Sequence, residues 1–513
     1  MKKMLLNQLS KKVTITQENL FLALYISLVS AYVLIRAFSV SVVHDEAITY
    51  FISLNNFSTL FNFPSFGGFA VNNHILNTIL IKFFEMVFGQ FNFIFRLPAI
   101  LGFALYLWYS VKISKILFTK KWIIISVIAL TLNPFLLEFF SLARGYSLGL
   151  GFLMGSLYYF FLSFSKKATP NTLFNLIICG LLASFANFTF ITPFLIIIYV
   201  RIAIYINTYI RNKKTRNTKN LIKQTIIPAV ATPLLLYILL GPQLLFLKKA
   251  GLLYVGGNSG FFTDTVMSVI KASLYNPTIS LAISYIPAII IILFFVIGGG
   301  VILYMYKKKS KVDVNSTAYI YLIIILLFFA SFLQHLIFKT PFVSDRAVIY
   351  FIPIVMLSLV LIFKTLYLTI KDSGKMYVLA VGLTLMLCLT FNFIINANLS
   401  YTYIWKYDSD TKNILADIDL IHQASPQSKL LIWNNWKLMP SINYIKQTDS
   451  IGWLPWASTL PPTPNYNVYI LLPDDYQLIE IYSLQIIKEY KNSQAILAIR
   501  TKNPTPPTPS VEQ

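Results

Sequence analysis

The chain places two carboxylates side by side in the segment "SVVHDEAITYF" at 41–51, directly after its first long apolar run. Asp45 and Glu46 stand out because the 513 residues include only 19 Asp and Glu. A carboxylate that is partly desolvated near a bilayer surface can act as a general base on an incoming hydroxyl or amine. Ionisable groups at a membrane edge are costly and are often functional. The acidic pair is therefore the first candidate for chemistry.

Other unusual polar residues lie, like the acidic pair, between apolar runs on one side of the predicted membrane. They are Asn72, Asn73, His74, Arg96, Glu138, Arg144, Gln334, His335, Asp345 and Arg346. The opposite side carries Lys and Arg clusters without this mixture of acid, His and amide. Arginines that face one cavity can hold a phosphate or diphosphate through forked hydrogen bonds. An acid for activation and arginines for a phosphate are what a glycosyl transfer from a lipid phosphate needs.

Each of these residues also has a simpler explanation. The acidic pair could be ordinary interfacial polarity, and His74 could be a satisfied polar residue. Arg144 could extend to the lipid headgroups or pair with Glu138. Asp345 and Arg346 could form a local ion pair at a helix N-terminus, where Asp is favourable. Their common side of the membrane favours the functional interpretation.

The composition indicates a polytopic membrane protein. Hydrophobic residues make up 57% of the chain and charged residues 12%, about half of the charged fraction of soluble domains. The net charge of +23 lies in short Lys and Arg clusters between apolar runs, as the positive-inside rule predicts. No basic stripe with interleaved aromatic residues marks a nucleic-acid surface. Cys179 and Cys388 lie inside apolar runs, without disulfide or metal spacing.

Eleven runs are long enough for transmembrane helices, which are required because lipid cannot satisfy open backbone groups. They are 18–40, 93–115, 122–140, 146–165, 172–190, 192–210, 225–247, 281–305, 317–338, 346–369 and 376–397. The Lys and Arg counts of the connecting segments place the N-terminus in the cytoplasm and alternate over every span. An odd number of spans places the C-terminal segment outside, and the predicted location is a bacterial inner (cell) membrane.

A transmembrane domain is predicted over 1–398, with two long outside loops. The first, 43–92, contains "ILNTILIKFFEMVF" at 75–88, whose helical apolar spacing predicts an amphipathic helix on the membrane surface. The second, 248–280, contains glycines at 251–262 that indicate a mobile loop.

Residues 399–500 carry more charge and short alternating patterns, which predict a small extracytoplasmic α/β domain. A helix is expected at 411–423, and strands are expected at 429–434, 467–473 and 495–500. The Pro-rich tail 501–513 is predicted to be disordered. The fold class expected is an all-α polytopic membrane protein of about 11 helices with this α/β domain appended.

The order of the motifs resembles a known class of membrane enzymes. The first span is followed by "HDEAITYF", then by "NNHILNT", then by "FGQFNFIFRLPAILG" entering the second span; "LARGYSLGLGF" at 142–152 and "DRAVIYFIP" at 345–353 also fit. This pattern resembles the GT-C class of integral-membrane glycosyltransferases, in particular the family 39 group of protein O-mannosyltransferases and lipid A aminoarabinose transferases. The resemblance covers the first part of the chain best and touches the tenth span.

The resemblance implies sugar transfer from a polyprenyl-phosphate donor to an acceptor protein, lipid or glycan on the extracytoplasmic face of the cell envelope. It implies that Asp45 is the catalytic carboxylate and that Glu46 assists it or contacts the acceptor. Arg144 and Arg346 are implied to bind the donor phosphate. The wider donor phosphate and sugar set that we predict also contains Tyr146, Asn73, His74, Asp345 and Arg96. No cofactor is certain, although Asp45, Glu46 and His74 could collect a divalent metal ion.

Two other functions stay open. One is a transporter or flippase of lipid-linked glycans, although such proteins often show inverted repeats and midplane charges, and the sequence shows no such repeat. The other is a non-catalytic subunit that holds a lipid-linked glycan through Arg144 and Arg346 without releasing free polyprenyl phosphate. In the C-terminal segment, Trp433, Asn434 and Trp436 could form a sugar-stacking surface or pack in a core.

Overall fold

A computed structural model of the protein describes residues 17–89, 92–211, 217–252, 256–308, 314–424, 426 and 430–500. The predicted tail 501–513 lies outside the described residues. Within them the helices are, in chain order, α1 (Gln17–Ser39), α2 (His44–Ser53), α3 (Ile75–Phe88), α4 (Asn92–Leu117), α5 (Lys121–Thr131), α6 (Pro134–Phe139), α7 (Tyr146–Leu162), α8 (Thr172–Ala186), α9 (Ile191–Arg211), α10 (Thr218–Gln224), α11 (Ile226–Lys249), α12 (Met267–Leu274), α13 (Leu281–Lys307), α14 (Asn315–Phe338), α15 (Phe351–Thr369), α16 (Asp372–Asn396), α17 (Thr411–Ala424), α18 (Met439–Thr448) and α19 (Gln477–Ile481).

All eleven predicted spans fall on apolar helices. Within the described ranges, eight helices are long and apolar enough to cross a membrane, namely α1, α4, α9, α11, α13, α14, α15 and α16. The other three spans fall on shorter apolar helices, α5, α7 and α8. The predicted all-α polytopic class is confirmed, and the chain is an integral membrane protein.

The predicted span 122–140 is broken into two helices. α5 ends before α6 begins at Pro134, because proline has no backbone N–H and disfavours helical backbone in the residue before it. Asn133 caps the second helix, since its side-chain oxygen accepts the N–H of Leu136 at 3.1 Å. α6 ends at Phe139, and Arg144 lies in the turn between α6 and α7.

The two loops that are predicted to lie outside contain more regular structure than predicted. The helix predicted over 75–88 is confirmed as α3, and a further helix, α2, begins at His44. In the second loop, a π-helical turn at Phe261–Val266 leads into α12, and Gly257 pairs with Phe342 in an isolated antiparallel bridge. The predicted loop therefore contains helical structure, and its residues 253–255 lie outside the described residues.

A small four-stranded sheet lies near the C-terminus. Its strands are β1 (Ile432–Asn434), β2 (Val468–Leu471), β3 (Leu484–Glu489) and β4 (Ile496–Arg500), in the spatial order β1-β2-β4-β3. β1 and β2 are parallel, and the other pairs are antiparallel. β3 escaped prediction because only its first residue is buried, so it shows no buried run or alternation. The domain boundary at 399 and the extracytoplasmic location stay predictions.

The C-terminal segment packs directly on the loop between α1 and α4 and on the start of α4. Tyr444 of α18 lies edge-on to Tyr50 of α2, with ring centroids 4.8 Å apart, and it also packs against Phe95 of α4. These residues share one buried cluster with Ala143, the neighbour of Arg144. The sheet region is thus fixed against the elements that carry the candidate site.

Two of the three possible sugar-stacking residues are buried. Trp433 packs against Tyr469 of β2, with ring centroids 6.2 Å apart, and its indole N–H donates to the carbonyl of Leu460. Asn434 is also buried, whereas Trp436 is 57% exposed. Core packing therefore accounts for Trp433 and Asn434, and only Trp436 is open to a ligand.

Candidate functional site

Asp45 lies in the first turn of α2, between two arginines that are distant from it in the sequence. Its Oδ2 atom is 3.2 Å from a terminal nitrogen of Arg144 and 3.1 Å from one of Arg346. The Asp45 side chain is only 7% exposed. The structure thus brings together three predicted site residues, which come from α2, from the turn before α7 and from the turn before α15.

Opposing effects act on the carboxyl of Asp45. Burial raises its pKa, but the guanidiniums of Arg346 and Arg144, with a further contribution from His44, bring the pKa below its ordinary value. Asp45 is therefore an ionised carboxylate at neutral pH. As a base it is weakened for as long as both arginines hold it.

Arg144 is held in place by groups other than the Asp45 carboxylate. One terminal nitrogen donates to Thr49 Oγ1 at 2.8 Å and to the Asp45 carbonyl at 3.0 Å. The other donates to Asn72 Oδ1 at 3.1 Å. The guanidinium therefore keeps its orientation if another anion takes the place of the carboxylate.

Glu46, in contrast, is bound entirely by protein groups. Arg96 donates to its two oxygens at 2.9 and 2.6 Å, and the N–H of Ala143 donates to Oε1 at 2.6 Å. The side chains of Glu46 and Arg96 are 0% and 1% exposed. Arg96 also donates to the carbonyls of Ala37 and Val40. The pair ties the end of α1 and the start of α4 to the turn that carries Arg144.

The alternative pairing of Glu138 with Arg144 is wrong. Glu138 Oε2 lies 3.3 Å from a terminal nitrogen of Arg36 in α1. The same oxygen accepts the N–H of Tyr403 at 2.7 Å and a hydrogen bond from the hydroxyl of Tyr275. Glu138 therefore joins α1 and α6 to the segment that follows α16.

Asp345 and Arg346 engage different partners. Asp345 is exposed, has a left-handed φ of 50°, and donates its N–H to Ser268 Oγ at 3.2 Å. Asp tolerates this conformation better than most residues. Arg346 pairs with Asp45, and its guanidinium carbon lies 5.4 Å from the centre of the Trp405 ring, a cation–π contact.

Two cavities meet at Arg346. The first, of about 310 Å³, is lined by five predicted residues, Asn73, His74, Arg144, Tyr146 and Arg346. Much of its remaining wall is apolar, with Phe185, Phe188, Leu244, Leu247 and Phe338. The second, of about 650 Å³, has a more polar wall that contains Asp264, Ser268, Lys271, Asp345, Arg346 and Tyr403. Cationic groups thus stand between an apolar channel and a polar chamber.

Asp45 itself does not line these two cavities. It contacts Arg144 and Arg346, which line the first cavity and cover the carboxylate. A ligand in that cavity therefore meets the guanidiniums before it meets Asp45. Access to the carboxylate depends on what binds those two arginines.

His74 lines the first cavity and carries a buried ring nitrogen without a hydrogen-bond partner among the described residues. The residue is 8% exposed, and the nitrogen is its Nε2 atom. Burial, and then the charges of Arg144 and Arg346, lower its pKa well below the ordinary value, so the imidazole is neutral. A neutral imidazole can donate or accept one hydrogen bond at that nitrogen.

The possible metal ligands do not assemble into a site. The structure, over the residues that it describes, holds no group of three or more His, Cys, Asp or Glu side chains that could bind a metal ion. Glu46 is bound by Arg96, and Asp45 faces two guanidiniums whose positive charge repels a cation. Asp45, Glu46 and His74 therefore do not fit a divalent metal in this arrangement.

The segment between α16 and α17 enters the site, although sequence patterns did not select it. Trp405 is 2% exposed beneath Arg346. Asp408 is buried and accepts the N–H of His44 at 2.7 Å, at the N-terminus of α2 where negative charge is favourable. The one sequence signal is the cluster "YIWKYDSD" at 403–410, directly after the last span.

His44 links the site to the sheet region. Its Nδ1 lies 2.7 Å from the carbonyl of Lys437, and its ring lies edge-on to Trp436. His44 is therefore a contact between α2 and the C-terminal segment.

No family model matches this chain, and no curated protein matches it by sequence. By structure it is similar to ArnT from Cupriavidus metallidurans bound to undecaprenyl phosphate, with a TM-score of 0.50, 9% identity and coverage of 94% of this chain and 99% of that chain. The apo state of the same protein gives a TM-score of 0.49, 10% identity and coverage of 95% and 99%. An oligosaccharyltransferase from Archaeoglobus fulgidus gives a TM-score of 0.40 and 16% identity, with coverage of 79% of this chain and 58% of that chain. The first similarity shows that the chain has the GT-C fold, as predicted.

Proposed function

We propose that this protein is a membrane glycosyltransferase that moves a sugar from a polyprenyl-phosphate donor to an acceptor on the extracytoplasmic face. The observation that carries the proposal is the Asp45 carboxylate held between Arg144 and Arg346, of which Arg346 lines both an apolar and a polar cavity. The GT-C fold supports the same class of reaction.

The first cavity suits a lipid phosphate. Arg144 and Arg346 can each give forked hydrogen bonds to phosphate oxygens. Beside them, Leu244 and Leu247 of α11 and Phe338 of α14 provide an apolar wall for the first isoprene units. The similarity to ArnT bound to undecaprenyl phosphate supports a ligand of this kind.

Donor binding should change the role of Asp45. Two guanidiniums and one carboxylate carry one net positive charge, which a phosphodiester with one negative charge balances. Because Arg144 stays bound to Thr49 and Asn72, the phosphate can share the guanidinium without moving it. The pKa of Asp45 then rises towards its ordinary value as the arginines are shared, which makes the carboxylate a better base.

The transfer step follows from this arrangement. Asp45 takes the proton of the acceptor hydroxyl or amine, and the acceptor atom attacks the anomeric carbon of the sugar. The bond between that carbon and the phosphate oxygen breaks, and polyprenyl phosphate leaves with the electron pair and one more negative charge. Arg144 and Arg346 stabilise this developing charge. The polar chamber beside Arg346 gives the acceptor room.

Three further residues position this machinery. Glu46 and Arg96 hold α2 and the turn before Arg144, a role that differs from the acceptor contact implied by the resemblance. Trp405 supports Arg346 from the C-terminal segment. These residues act through the reacting groups and do not touch the substrates in this proposal.

Asp45→Asn tests the proposal. The substitution removes the base and keeps the shape, so we expect the transfer rate to fall by at least about 100-fold, the usual contribution of a general base. Binding of the lipid-linked donor should persist, because the arginines lose a competing anion. The measurement is release of free polyprenyl phosphate by the purified protein from a panel of lipid-linked sugars. Asp372→Asn, at an exposed aspartate at the start of α16, is the matched control. A transfer rate in the Asp45→Asn variant equal to that of the wild type would refute the proposal.

The covered position of Asp45 favours one other candidate. A protein that only holds a lipid-linked glycan through Arg144 and Arg346 would need the same cavity and would have no use for an exposed base. Such a protein binds the donor but releases no free polyprenyl phosphate. Product release by the wild-type protein, measured with protein, lipid and glycan acceptors, separates the two functions.

A further inference from the structure

A second apolar groove lies at the end of the bundle that is remote from Arg346. It has a volume of about 400 Å³, and its wall consists of one face each of α5, α15 and α16. Apolar side chains such as Ile125, Met356 and Leu383 form almost all of that wall. At one end stand Lys121, Trp122 and Tyr367. The candidate site described above shares none of these lining residues.

The groove is as long as one bilayer leaflet is deep. Met356 and Tyr367 mark its ends on α15, and Val378 and Leu389 mark them on α16. Each pair is eleven residues apart, which corresponds to about 16 Å of helix. One leaflet of hydrocarbon is about 15 Å deep. A single acyl chain therefore fits the groove from end to end.

The chemistry of the mouth matches a lipid headgroup. The rings of Trp122 and Tyr367 pack at a tilt, with centroids 5.9 Å apart, and such aromatic residues are enriched at membrane interfaces. Lys121 is exposed at the mouth. The ammonium group of Lys375 lies 5.6 Å from the centre of the Tyr367 ring but is paired with Asp372 at 2.6 Å, so Lys121 rather than Lys375 is the basic group offered to a headgroup. A basic group at this depth attracts anionic lipids.

The groove also needs an occupant. Water does not fill a cavity with apolar walls. The structure describes all of α16, and none of its residues is fully buried. A molecule that fills the groove would therefore complete the packing of α16 against α5 and α15. In a bilayer the available filler is an acyl chain.

We propose that this groove binds one anionic phospholipid, with an acyl chain between the three helices and the phosphate beside Lys121 and Trp122. The proposal does not depend on the proposed function, since its residues lie apart from Asp45 and its arginines.

A pair of glycine substitutions provides the test. Gly382 lines the groove, and a Cβ there would meet only Phe363 Cδ1, at 3.9 Å, so Gly382→Leu fits and fills the groove. Gly300 in α13 has open space around a Cβ, so Gly300→Leu is the matched control. Both substitutions replace a glycine inside a helix and change helix propensity equally.

The readout is the number of lipids bound to the purified protein in mild detergent, counted by native mass spectrometry. The probes are phosphatidylglycerol and phosphatidylcholine with identical acyl chains. We expect the wild type and Gly300→Leu to retain one phosphatidylglycerol, and Gly382→Leu to retain it at least about tenfold more weakly, because several methylenes lose their burial. Lys121→Gln should reduce the preference for phosphatidylglycerol and leave phosphatidylcholine binding unchanged.

Several results would overturn the proposal. Equal retention by the two glycine variants would show that the lipid binds elsewhere. Equal binding of the two phospholipids to the wild type would refute the anionic headgroup. A polyprenyl phosphate that co-purifies and is displaced by Gly382→Leu would identify a different occupant. If Gly382→Leu elutes as an aggregate in size-exclusion chromatography, the test is the lipid preference of Lys121→Gln compared with that of the wild type. An unchanged preference for phosphatidylglycerol then refutes the site.

Discussion

Glu46→Gln should separate the roles of the two adjacent carboxylates. The amide has the size of the carboxylate but no charge, so the buried guanidinium of Arg96 loses its anion. An amide also offers only one acceptor oxygen. In the wild type, Arg96 and the N–H of Ala143 donate to the two carboxylate oxygens of Glu46. Asp45→Asn differs, because Arg144 keeps its bonds to Thr49 and to backbone carbonyls.

The burial of the pair determines the magnitude. Removing one partner of a buried ion pair costs about 3–5 kcal/mol of unfolding free energy, and both partners here are at most 1% exposed. Arg96 retains its bonds to the carbonyls of Ala37 and Val40, at 3.0 and 2.9 Å, so we do not expect a larger loss. Asp45→Asn should cost less, because Arg346 is 16% exposed and borders two cavities.

The assay is unfolding of the purified protein in mild detergent, followed by tryptophan fluorescence, beside the polyprenyl-phosphate release assay. We expect a large loss of stability for Glu46→Gln and a loss of transfer with a smaller loss of stability for Asp45→Asn. Replacing both partners, in a Glu46→Leu and Arg96→Met double variant, should restore most of the stability. A Glu46→Gln protein that unfolds like the wild type but transfers no sugar would refute the positioning role and assign Glu46 to the acceptor.

Three further predictions follow from single contacts. Arg346→Lys keeps the positive charge but cannot give two parallel hydrogen bonds to one phosphate, so the KM for the lipid-linked sugar should rise by about tenfold or more. Trp405→Leu removes a cation–π contact worth about 1 kcal/mol, so kcat/KM should fall by about fivefold, and Trp405→Phe should restore most of it; an unchanged value would show that Trp405 only packs. Burial raises the pKa of Glu85 in α3 from 4.5 to about 7, against smaller effects of Ser53 and Lys82. The unfolded chain releases this proton at lower pH than the folded chain, so the stability that Glu85 contributes falls as the pH rises from 4.5 to about 7. In thermal unfolding, Glu85→Gln should remove this part of the difference in stability between pH 5 and pH 8. An undiminished difference in the variant would refute the assignment.

The sequence by itself determined the membrane class and the helical elements. Lipid cannot satisfy open backbone groups, so the length of each apolar run dictates a helix without reference to the rest of the chain. α3 matches its predicted bounds of 75–88 because its pattern is local and Gly89, with a φ of 85°, ends it. Residue type and predicted membrane side placed Asp45, Arg144 and Arg346 in a wider set of polar candidates, and the resemblance to GT-C glycosyltransferases implied their roles.

Only the tertiary structure decided which acid pairs with which arginine. Glu46 binds Arg96, Glu138 binds Arg36, and Asp45 lies between two arginines from separate turns. The sequence suggested a joint role for Asp45 and Glu46 because they are neighbours. On a helix, however, successive side chains point about 100° apart, so the two carboxylates face different surroundings.

The contribution of the C-terminal segment was likewise decided by packing. Trp405 and Asp408 lie far from Asp45 in the sequence, and no local pattern records where the segment after the last span returns. Its path depends on the buried contacts of α18 and the sheet with α2 and α4. A local pattern specifies an element because its hydrogen bonds are local; a site depends on side chains from many elements, and their meeting is specified only by the packing of the whole chain.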